Sequence, residues 1–321
     1  MKRMIAVSSF GLAYAYASAC CGVSPNGQPV TFGDQSNIIV WNAETKTEHF
    51  VRNAYFDSTA KDFGFIAATP SVPELKEAEK GAFGFLERQK PKPFKFSCSS
   101  EVATRGGPSA SSMVETLQQV EVGEYLATTV RSSDAKAMSS YLKQNGYASN
   151  SDTDEWIGFY TKKKWVFTAF KVRDGGDGKS ATGVIRMSFR TDEPFNPYYV
   201  PASNSHGSHG TLKLYFVSDG TYSASVGHGS NWIPALWNNQ FEVYDIRTIA
   251  DHLNLPHSEF SKNMTITYFE KANWLDGSKD DLYFKKDSPF TSIIMVLLAG
   301  LGGGLWWFTK SRRVKVLSPS Q

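Results

Sequence analysis

One stretch near the C-terminus restricts the possible architectures of this chain more than any other feature. Residues Phe290 to Phe308 carry no charge, and their number is close to the ~20 that a helix needs to cross a ~30 Å hydrocarbon core. Trp306 and Trp307 stand near its end, where indole rings favour the membrane interface, and a basic tail over 309–321 follows. We predict a single transmembrane helix over 290–308 with a cytoplasmic tail, which places residues 20–289 outside a bacterial cytoplasmic membrane. A sorting tail that a membrane protease later removes would have the same pattern.

The N-terminus has the organisation of an export signal. Met1-Lys2-Arg3 is basic, an apolar segment follows, and Ala17-Ser18-Ala19 forms a small-x-small cleavage pattern before Cys20. We therefore predict a signal peptide over 1–19. An uncleaved N-terminal helix is one alternative. Lipidation of Cys20 is another, although Ala17 stands where a lipobox usually has leucine.

Two glycines lie four residues apart within the predicted membrane helix. Gly300 and Gly304 form a G-x-x-x-G pair, and such small residues let a second helix approach closely. This stripe predicts helix packing against a membrane protein partner. The alternative is that the glycines only reflect the composition usual for membrane helices.

Charge and composition limit the remaining partners. The net charge is +3 and no basic stripe runs through the middle of the chain, so we expect no nucleic acid partner. Aromatic residues make up 14% of the chain and charged residues 20%, which is typical of an ordered globular domain. We expect contacts with the lipid bilayer and with a membrane protein.

The three cysteines suit an oxidising compartment. Cys20, Cys21 and Cys98 are an odd number, so one thiol is left over after any pairing. We predict a disulfide between Cys98 and either Cys20 or Cys21, which would tie the mature N-terminus to the domain. The chain has no C-x-x-C pair, and a zinc ribbon or thioredoxin-type redox site is therefore unsupported.

Strand-like runs dominate the segment between the two termini. Ser36–Asn42 and Glu48–Phe56 flank a turn, and Asp219-Gly220 predicts a hairpin between two further runs. Trp156–Val172 is long, aromatic and β-like, with a turn at Lys162–Lys164. The fold class that we predict is α+β, with a mostly antiparallel sheet, a few short helices and the C-terminal transmembrane helix.

Two segments have helical patterns. Pro73–Arg88 mixes Glu and Lys around apolar residues, and Ser133 or Asp134 caps a helix that runs to about Gln144. Asp152–Glu155 is acidic and predicts a solvated turn, with calcium binding as the alternative, although its spacing differs from that of a calcium loop.

The candidate chemistry centres on three histidines. His206 and His209 lie three residues apart in a glycine-rich loop, and His228 follows beyond the predicted hairpin. Three neutral imidazoles would suit zinc or copper, although the spacing is not H-E-x-x-H. Exposed loop histidines with no ligand are the alternative, and no cofactor is otherwise predicted.

The remaining motifs indicate no catalytic site. The chain has no G-x-S-x-G elbow, and its glycine cluster lies inside the membrane stretch. Four aromatic residues offer either a carbohydrate or lipid surface or ordinary core packing, and these are Tyr198, Tyr199, Trp232 and Trp237.

The order of short motifs between residues 19 and 200 resembles the bacterial family catalogued as domain of unknown function 2330. The motifs that carry the resemblance are Ala19-Cys20-Cys21-Gly22, Ile38-Ile39-Val40-Trp41, Ala68-Thr69-Pro70, Val122-Gly123-Glu124-Tyr125, Ser133-Asp134-Ala135, Tyr141-Leu142-Lys143-Gln144-Asn145-Gly146-Tyr147, Phe170-Lys171-Val172, Arg186-Met187-Ser188-Phe189 and Glu193-Pro194-Phe195. The resemblance implies an exported, C-terminally anchored protein with one continuous domain. It implies no reaction and no catalytic residues, and it does not extend over 203–287.

The sequence therefore leads to two hypotheses for the function. The first is a membrane-anchored extracytoplasmic interaction or scaffold protein, an accessory subunit of a membrane protein complex, for which we expect no catalysis. The alternative is an envelope metal-dependent hydrolase that uses His206, His209 and His228.

Overall fold

A computed structural model describes residues 21–23, 30–58, 64–91, 116–132, 134–147, 151–172, 179–181, 183–201 and 210–288. The predicted signal peptide over 1–19, the transmembrane stretch over 290–308 with Gly300 and Gly304, and the basic tail over 309–321 lie outside these residues. Among the helices that are described, none combines the length and the apolar character needed to cross a membrane.

The described residues form sixteen strands and four α-helices. The strands are β1 (Cys21–Val23), β2 (Val30–Asn42), β3 (Thr47–Ser58), β4 (Gly64–Thr69), β5 (Glu74–Ala78), β6 (Thr116–Val122), β7 (Tyr125–Val130), β8 (Val166–Val172), β9 (Lys179–Ala181), β10 (Val184–Arg190), β11 (Phe195–Asn196), β12 (Thr211–Ser218), β13 (Tyr222–Val226), β14 (Trp237–Gln240), β15 (Thr265–Ala272) and β16 (Leu282–Lys286). The helices are α1 (Gly81–Arg88), α2 (Ala135–Gln144), α3 (Ser151–Lys162) and α4 (Val243–His252).

The strands assemble into three sheets. The first has the order β1-β4-β8-β7-β6, the second β14-β15-β12-β2-β3-β10-β5 with β9 also paired to β3, and the third β11-β16-β13. Every strand pairing in the described residues is antiparallel except that of β2 with β12. The predicted α+β class with mostly antiparallel sheet is confirmed.

Three apolar clusters show that the domain has four layers. One cluster joins the facing sides of the first two sheets and includes Phe50 and Phe170. A second lies between the other face of the second sheet and helices α1 and α4, and a third lies between the first sheet and helices α2 and α3. Strands buried on both faces need side chains that are apolar at consecutive positions, which explains the run Ile38-Ile39-Val40-Trp41 in β2.

Helix α3 corrects the prediction that Trp156–Val172 is strand-like throughout. Thr153, Trp156, Ile157 and Tyr160 recur at helical spacing and are all buried, whereas only Val166–Val172 forms a strand. Asp152 and Asp154 occupy the first turn of this helix, where negative charge is favoured, and not the separate turn that we predicted. The aromatic content of the segment had suggested a strand, but tertiary burial of one helical face determines the structure.

Two other local predictions are wrong in part. Pro73–Arg88 was expected to be one helix, yet β5 occupies Glu74–Ala78 because Leu75 pairs across the sheet with Met187, and only α1 is helical. The Asp219-Gly220 turn does not close a hairpin, because β13 leaves the second sheet and pairs with β16 in the third. The predicted helix α2 is confirmed, and Asp134 is its cap because its carboxylate accepts the Ala137 N–H at 2.7 Å.

Candidate functional site

A cleft of about 810 Å³ opens where the three sheets meet at one end of the domain. The β2–β3 turn and Pro70 after β4 form part of its wall, and the link from β10 to β11 forms another part. Lys163 and Trp165, between α3 and β8, line it together with Tyr283 of β16. Clefts at such junctions are the usual location of ligand sites.

The floor of the cleft is aromatic. The Trp165 ring centroid lies 4.7 Å from that of Phe195 and 5.2 Å from that of Tyr160, and Phe195 lies 6.3 Å from Tyr283. Phe195 is fully buried, whereas Trp165 and Tyr283 are half-buried and line the opening. The rings therefore form one continuous apolar surface whose outer members are accessible.

Lys163 holds this floor in place. Its ammonium donates to Asp281 at 2.9 Å, to Asp280 at 3.1 Å and to the Tyr283 hydroxyl at 2.9 Å, which uses all three of its donors. It also lies 4.3 Å from the Phe159 ring centroid and 5.2 Å from that of Trp165. Lys164, in the turn that presents Lys163, has a φ of 60°, which lies in the left-handed region.

Asp281 is the buried anchor of the network. Its side chain is fully inaccessible, and besides Lys163 it accepts hydrogen bonds from the Tyr160 hydroxyl at 2.6 Å and from the backbone N–H groups of Tyr198 and Tyr199 at 2.9 and 3.3 Å. It thus ties α3, the segment after β11 and the start of β16 to one point. A buried carboxyl needs such partners because desolvation disfavours its charge.

The pKa values of Lys163 and Asp281 indicate a structural role for this pair and not a role in proton transfer. Burial alone would lower the pKa of Lys163, but the charge of Asp281 and the hydrogen bonds to Tyr283 and Asp281 raise it above its ordinary value. Burial raises the pKa of Asp281, and the charge of Lys163 and the Tyr160 hydroxyl oppose that effect. An ammonium with a raised pKa and no spare donor is a poor base and a poor nucleophile.

Glu48 lies beneath the same floor. It is fully buried, one carboxyl oxygen accepts the Phe195 N–H at 2.8 Å, and the other oxygen has no hydrogen-bond partner in the described part of the chain. Burial raises the pKa of Glu48, the hydrogen bond from Phe195 lowers it, and the charge of Asp281 adds to the rise.

His228 lies at the edge of this cleft and is the only predicted metal ligand within the described residues. Its Nε2 lies 3.3 Å from a Glu193 oxygen, and its ring stacks on Tyr283 at 4.5 Å. His206 and His209 lie outside the described residues. Within the described ranges, no three His, Cys, Asp or Glu side chains are grouped so that they could hold a metal ion. The proximity of Glu193 could not be found from the sequence, because it precedes His228 by 35 positions.

A second polar cluster has the residue types of a nucleophilic triad. His49 Nδ1 lies 2.8 Å from the Ser188 hydroxyl, and its Nε2 lies 3.3 Å from Glu259. However, both Ser188 and His49 are buried within paired strands, where Ser188 lies directly opposite His49. Burial lowers the pKa of His49, and a nucleophile inside a sheet ladder has no access to substrate. This cluster stabilises the sheet face below α4.

The predicted disulfide involves residues that lie partly outside the described ranges. Cys21 lies in β1, where Cys21 pairs with Ile66, while Cys20 and Cys98 lie outside the described residues, so the disulfide stays a prediction.

Of the four aromatic residues that could form a ligand surface, Tyr198 and Tyr199 are buried, which confirms core packing for these two residues. Trp232 and Trp237 are half-buried, and Trp237 stacks on Tyr268 at 5.1 Å.

A third feature is an open sheet edge. β14 ends the strand order of the second sheet, so one of its sides has no neighbouring strand among the described residues. Leu236 directly precedes this strand, and Val243 and Tyr244 follow it in the first turn of α4; these side chains are 61%, 63% and 75% exposed. Only one other large apolar side chain in the described part of the chain is classed as exposed, Val72 at 40%.

These observations define a class of protein: a four-layer α+β domain that carries an aromatic cleft and an open sheet edge flanked by exposed apolar side chains. The chain belongs to the family described as uncharacterized protein conserved in bacteria (DUF2330), whose sequence model matches residues 14–225. No curated protein matches the chain. The resemblance noted in the sequence is thereby confirmed, and the match extends to residue 225, past the residues 19–200 over which the motifs were recognised. Residues 226–288, which follow the match, supply β14, β15, β16 and α4 to the same sheets and layers.

Proposed function

We propose that this protein is a membrane-anchored, extracytoplasmic interaction protein that acts as an accessory subunit of a membrane complex. The observation that carries the proposal is the open edge of β14 flanked by Leu236, Val243 and Tyr244. Leu236 precedes one end of the strand, and Val243 and Tyr244 follow the other end, so exposed apolar side chains flank the edge on both sides. Exposed apolar surface is one mark of an interaction site.

The edge strand is short, with four residues, but it lacks two other features by which sheets avoid association. Its sequence, Trp237-Asn238-Asn239-Gln240, contains no charge and no proline. On its inner side it pairs with β15, and two flanking hydrogen bonds, from Leu236 N to Tyr268 O and from Phe241 N to Met264 O, both 2.8 Å, extend this pairing beyond its two ends. On its outer side, no strand among the described residues pairs with its backbone, so this side could accept an added strand.

The occupant that fits this surface is an extended segment of a partner protein. Such a segment would pair with the backbone of β14 and place apolar side chains against Leu236 and Tyr244, as in strand addition to other sheet edges. The predicted membrane helix with Gly300 and Gly304 would pack against the same complex. Lys163, whose pKa is raised, and Ser188, which is buried, are poorly suited to act as a base and a nucleophile.

Site-specific photocrosslinking in the native membrane tests the proposal. A benzophenone amino acid replaces Asn238 on the open edge, and the control carries it at Lys136, an exposed position on α2. We expect a discrete crosslinked product from position 238 that contains a second protein and is missing from position 136. Equal crosslinking at both positions, or none at 238, would contradict the proposal, and a product of two identical chains would replace the partner by a second copy.

A further inference from the structure

The cleft of about 810 Å³ offers a different kind of site from the sheet edge. We propose that it binds carbohydrate, with the apolar C–H face of a pyranose ring packed on Trp165 and Tyr283 and the hydroxyl edge turned to the charged rim. This goes beyond the interaction role, because the ligand is a glycan rather than a protein and the site lies on another part of the domain.

The accessible rings are already fixed in position. Tyr283 is held through its hydroxyl by Lys163 at 2.9 Å and stacks on His228, and Trp165 packs against Tyr160 and Phe195. The backbone N–H of Trp165 also donates to Tyr160 O at 3.2 Å. A flat ligand can therefore bind without ordering these side chains, which removes a cost that weak ligands cannot offset.

The backbone around the cleft argues against an extended peptide as the ligand. Thr191 N donates to Lys46 O and Phe284 N donates to Pro194 O, each at 3.0 Å, and the Ser71 hydroxyl donates to Arg190 O at 3.1 Å. Several backbone groups of these lining segments are thus used internally. Recognition falls to side chains, as expected for a ligand that presents hydroxyl groups and no peptide ladder.

The rim carries both signs of charge. Lys46 pairs with Asp192 at 2.8 Å and Glu193 pairs with His228 at 3.3 Å, while Arg190 is exposed beside them. Carboxylates at this position disfavour a polyanion such as nucleic acid. Carboxylate and guanidinium groups together can accept from and donate to sugar hydroxyls, which are both donors and acceptors.

Binding of the full-length chain to an array of pyranose-containing glycans tests the proposal. The chain is purified in a polyoxyethylene detergent, because glycoside detergents would compete for the site. Chitohexaose, cellohexaose and maltohexaose are then titrated as soluble probes by calorimetry. We expect saturable binding of at least one glycan, weakened about tenfold by Trp165→Ala, which removes one aromatic contact. Trp237→Ala, which alters a half-buried tryptophan on the far face, is the matched control and should leave the affinity unchanged.

Two further variants keep the result decisive if Trp165→Ala unfolds. Trp165→Phe retains an aromatic face and should keep most of the affinity, whereas Arg190→Ala changes an exposed side chain and should weaken binding without affecting the fold. Absence of binding to every glycan on the array overturns the proposal. So does glycan binding that neither Trp165→Ala nor Arg190→Ala reduces. A peptide array that gives Trp165-dependent binding, where the glycans give none, would assign the cleft to another ligand class.

Discussion

The Lys163 ammonium lies 2.9 Å from the Asp281 carboxylate, although the two residues are 118 positions apart in the chain. Asp281 is fully buried and Lys163 closes one wall of the cleft, so this pair connects the core of the domain to its candidate ligand site. Because removal of Lys163 leaves the Asp281 carboxylate buried without its cation, we expect the pair to contribute to both the stability of the domain and the shape of the cleft floor.

Replacement of Lys163 by methionine should therefore be strongly destabilising. It leaves Asp281 buried without its cation, and we expect the free energy of unfolding to fall by about 3 kcal/mol. Lys164→Met is the matched control, since Lys164 is exposed at the neighbouring position, and it should change the stability by less than about 0.5 kcal/mol. Guanidinium denaturation of both variants measures the difference. Equal stability of Lys163→Met and the parent protein would show that the pair contributes nothing.

The packing of helix α3 gives a second prediction. Trp156 is fully buried between this helix and the first sheet, with its ring 4.6 Å from that of Tyr160. Trp156→Ala should cost about 3–5 kcal/mol, because truncation of a large core side chain leaves a cavity. Phe159→Ala, on the half-buried side of the same helix, should cost less. If thermal unfolding shows the reverse order, the face of α3 that packs on the sheet has been assigned wrongly.

Glu48 predicts a specific dependence of stability on pH. Burial raises its pKa in the folded protein, so the folded state holds the proton more tightly than the unfolded state does. Stability from this group is present below the ordinary pKa of a glutamate and is lost as the pH rises through the raised folded value. Glu48→Gln cannot ionise, and its free energy of unfolding should fall less over that range than that of the parent protein. Parallel pH curves for the two proteins would contradict this prediction.

Metal content separates the two functional hypotheses. The alternative function needs zinc or copper on His206, His209 and His228, whereas the interaction role needs none. We expect the purified protein to contain less than stoichiometric metal, and His206→Ala with His209→Ala to leave that content unchanged. Elemental analysis that finds one zinc or copper per chain, lost in the double variant, would favour the hydrolase.

The sequence predicted the central strands of the sheets better than it predicted helix α3 or the residues of the site. Apolar runs such as Ile38–Trp41 predict central strands because burial on both faces demands them, and the turn between β2 and β3 followed from the polar residues at Asn42–Lys46. Helix α3 was missed because Trp156 and Tyr160 have strand propensity, and only their packing against Phe167 and other core residues decides the conformation.

The site itself could not be predicted from local patterns. Lys163 was predicted only as part of the turn at Lys162–Lys164, and no sequence pattern singled out Asp281. The spacing of Lys163 and Asp281 in the sequence does not indicate that they meet, because they come together only after the three sheets have formed. The weak indication that existed was the aromatic density around Lys163, from Phe159 to Trp165, because cations and aromatic rings attract one another.

The predicted membrane helix can be tested independently of the domain. Gly300→Leu with Gly304→Leu fills the small-residue stripe and should weaken association with a membrane partner, while insertion into the membrane persists. Leucine substitutions at Thr291 and Ser292, near the start of the same stretch, are the control. Unchanged recovery of the partner by pull-down would count against packing through this stripe.

Purification of the tagged protein from its native membranes in a gentle detergent, followed by mass spectrometry, tests the central claim most directly. The parent protein is compared with a Leu236→Glu, Tyr244→Glu double variant, which charges the open edge of β14 at exposed positions, and with Lys136→Glu as the control. The account predicts one stoichiometric membrane partner with the parent and the control, and its loss with the double variant. A protein that purifies alone in all three cases, or a partner retained equally by all three, would contradict it.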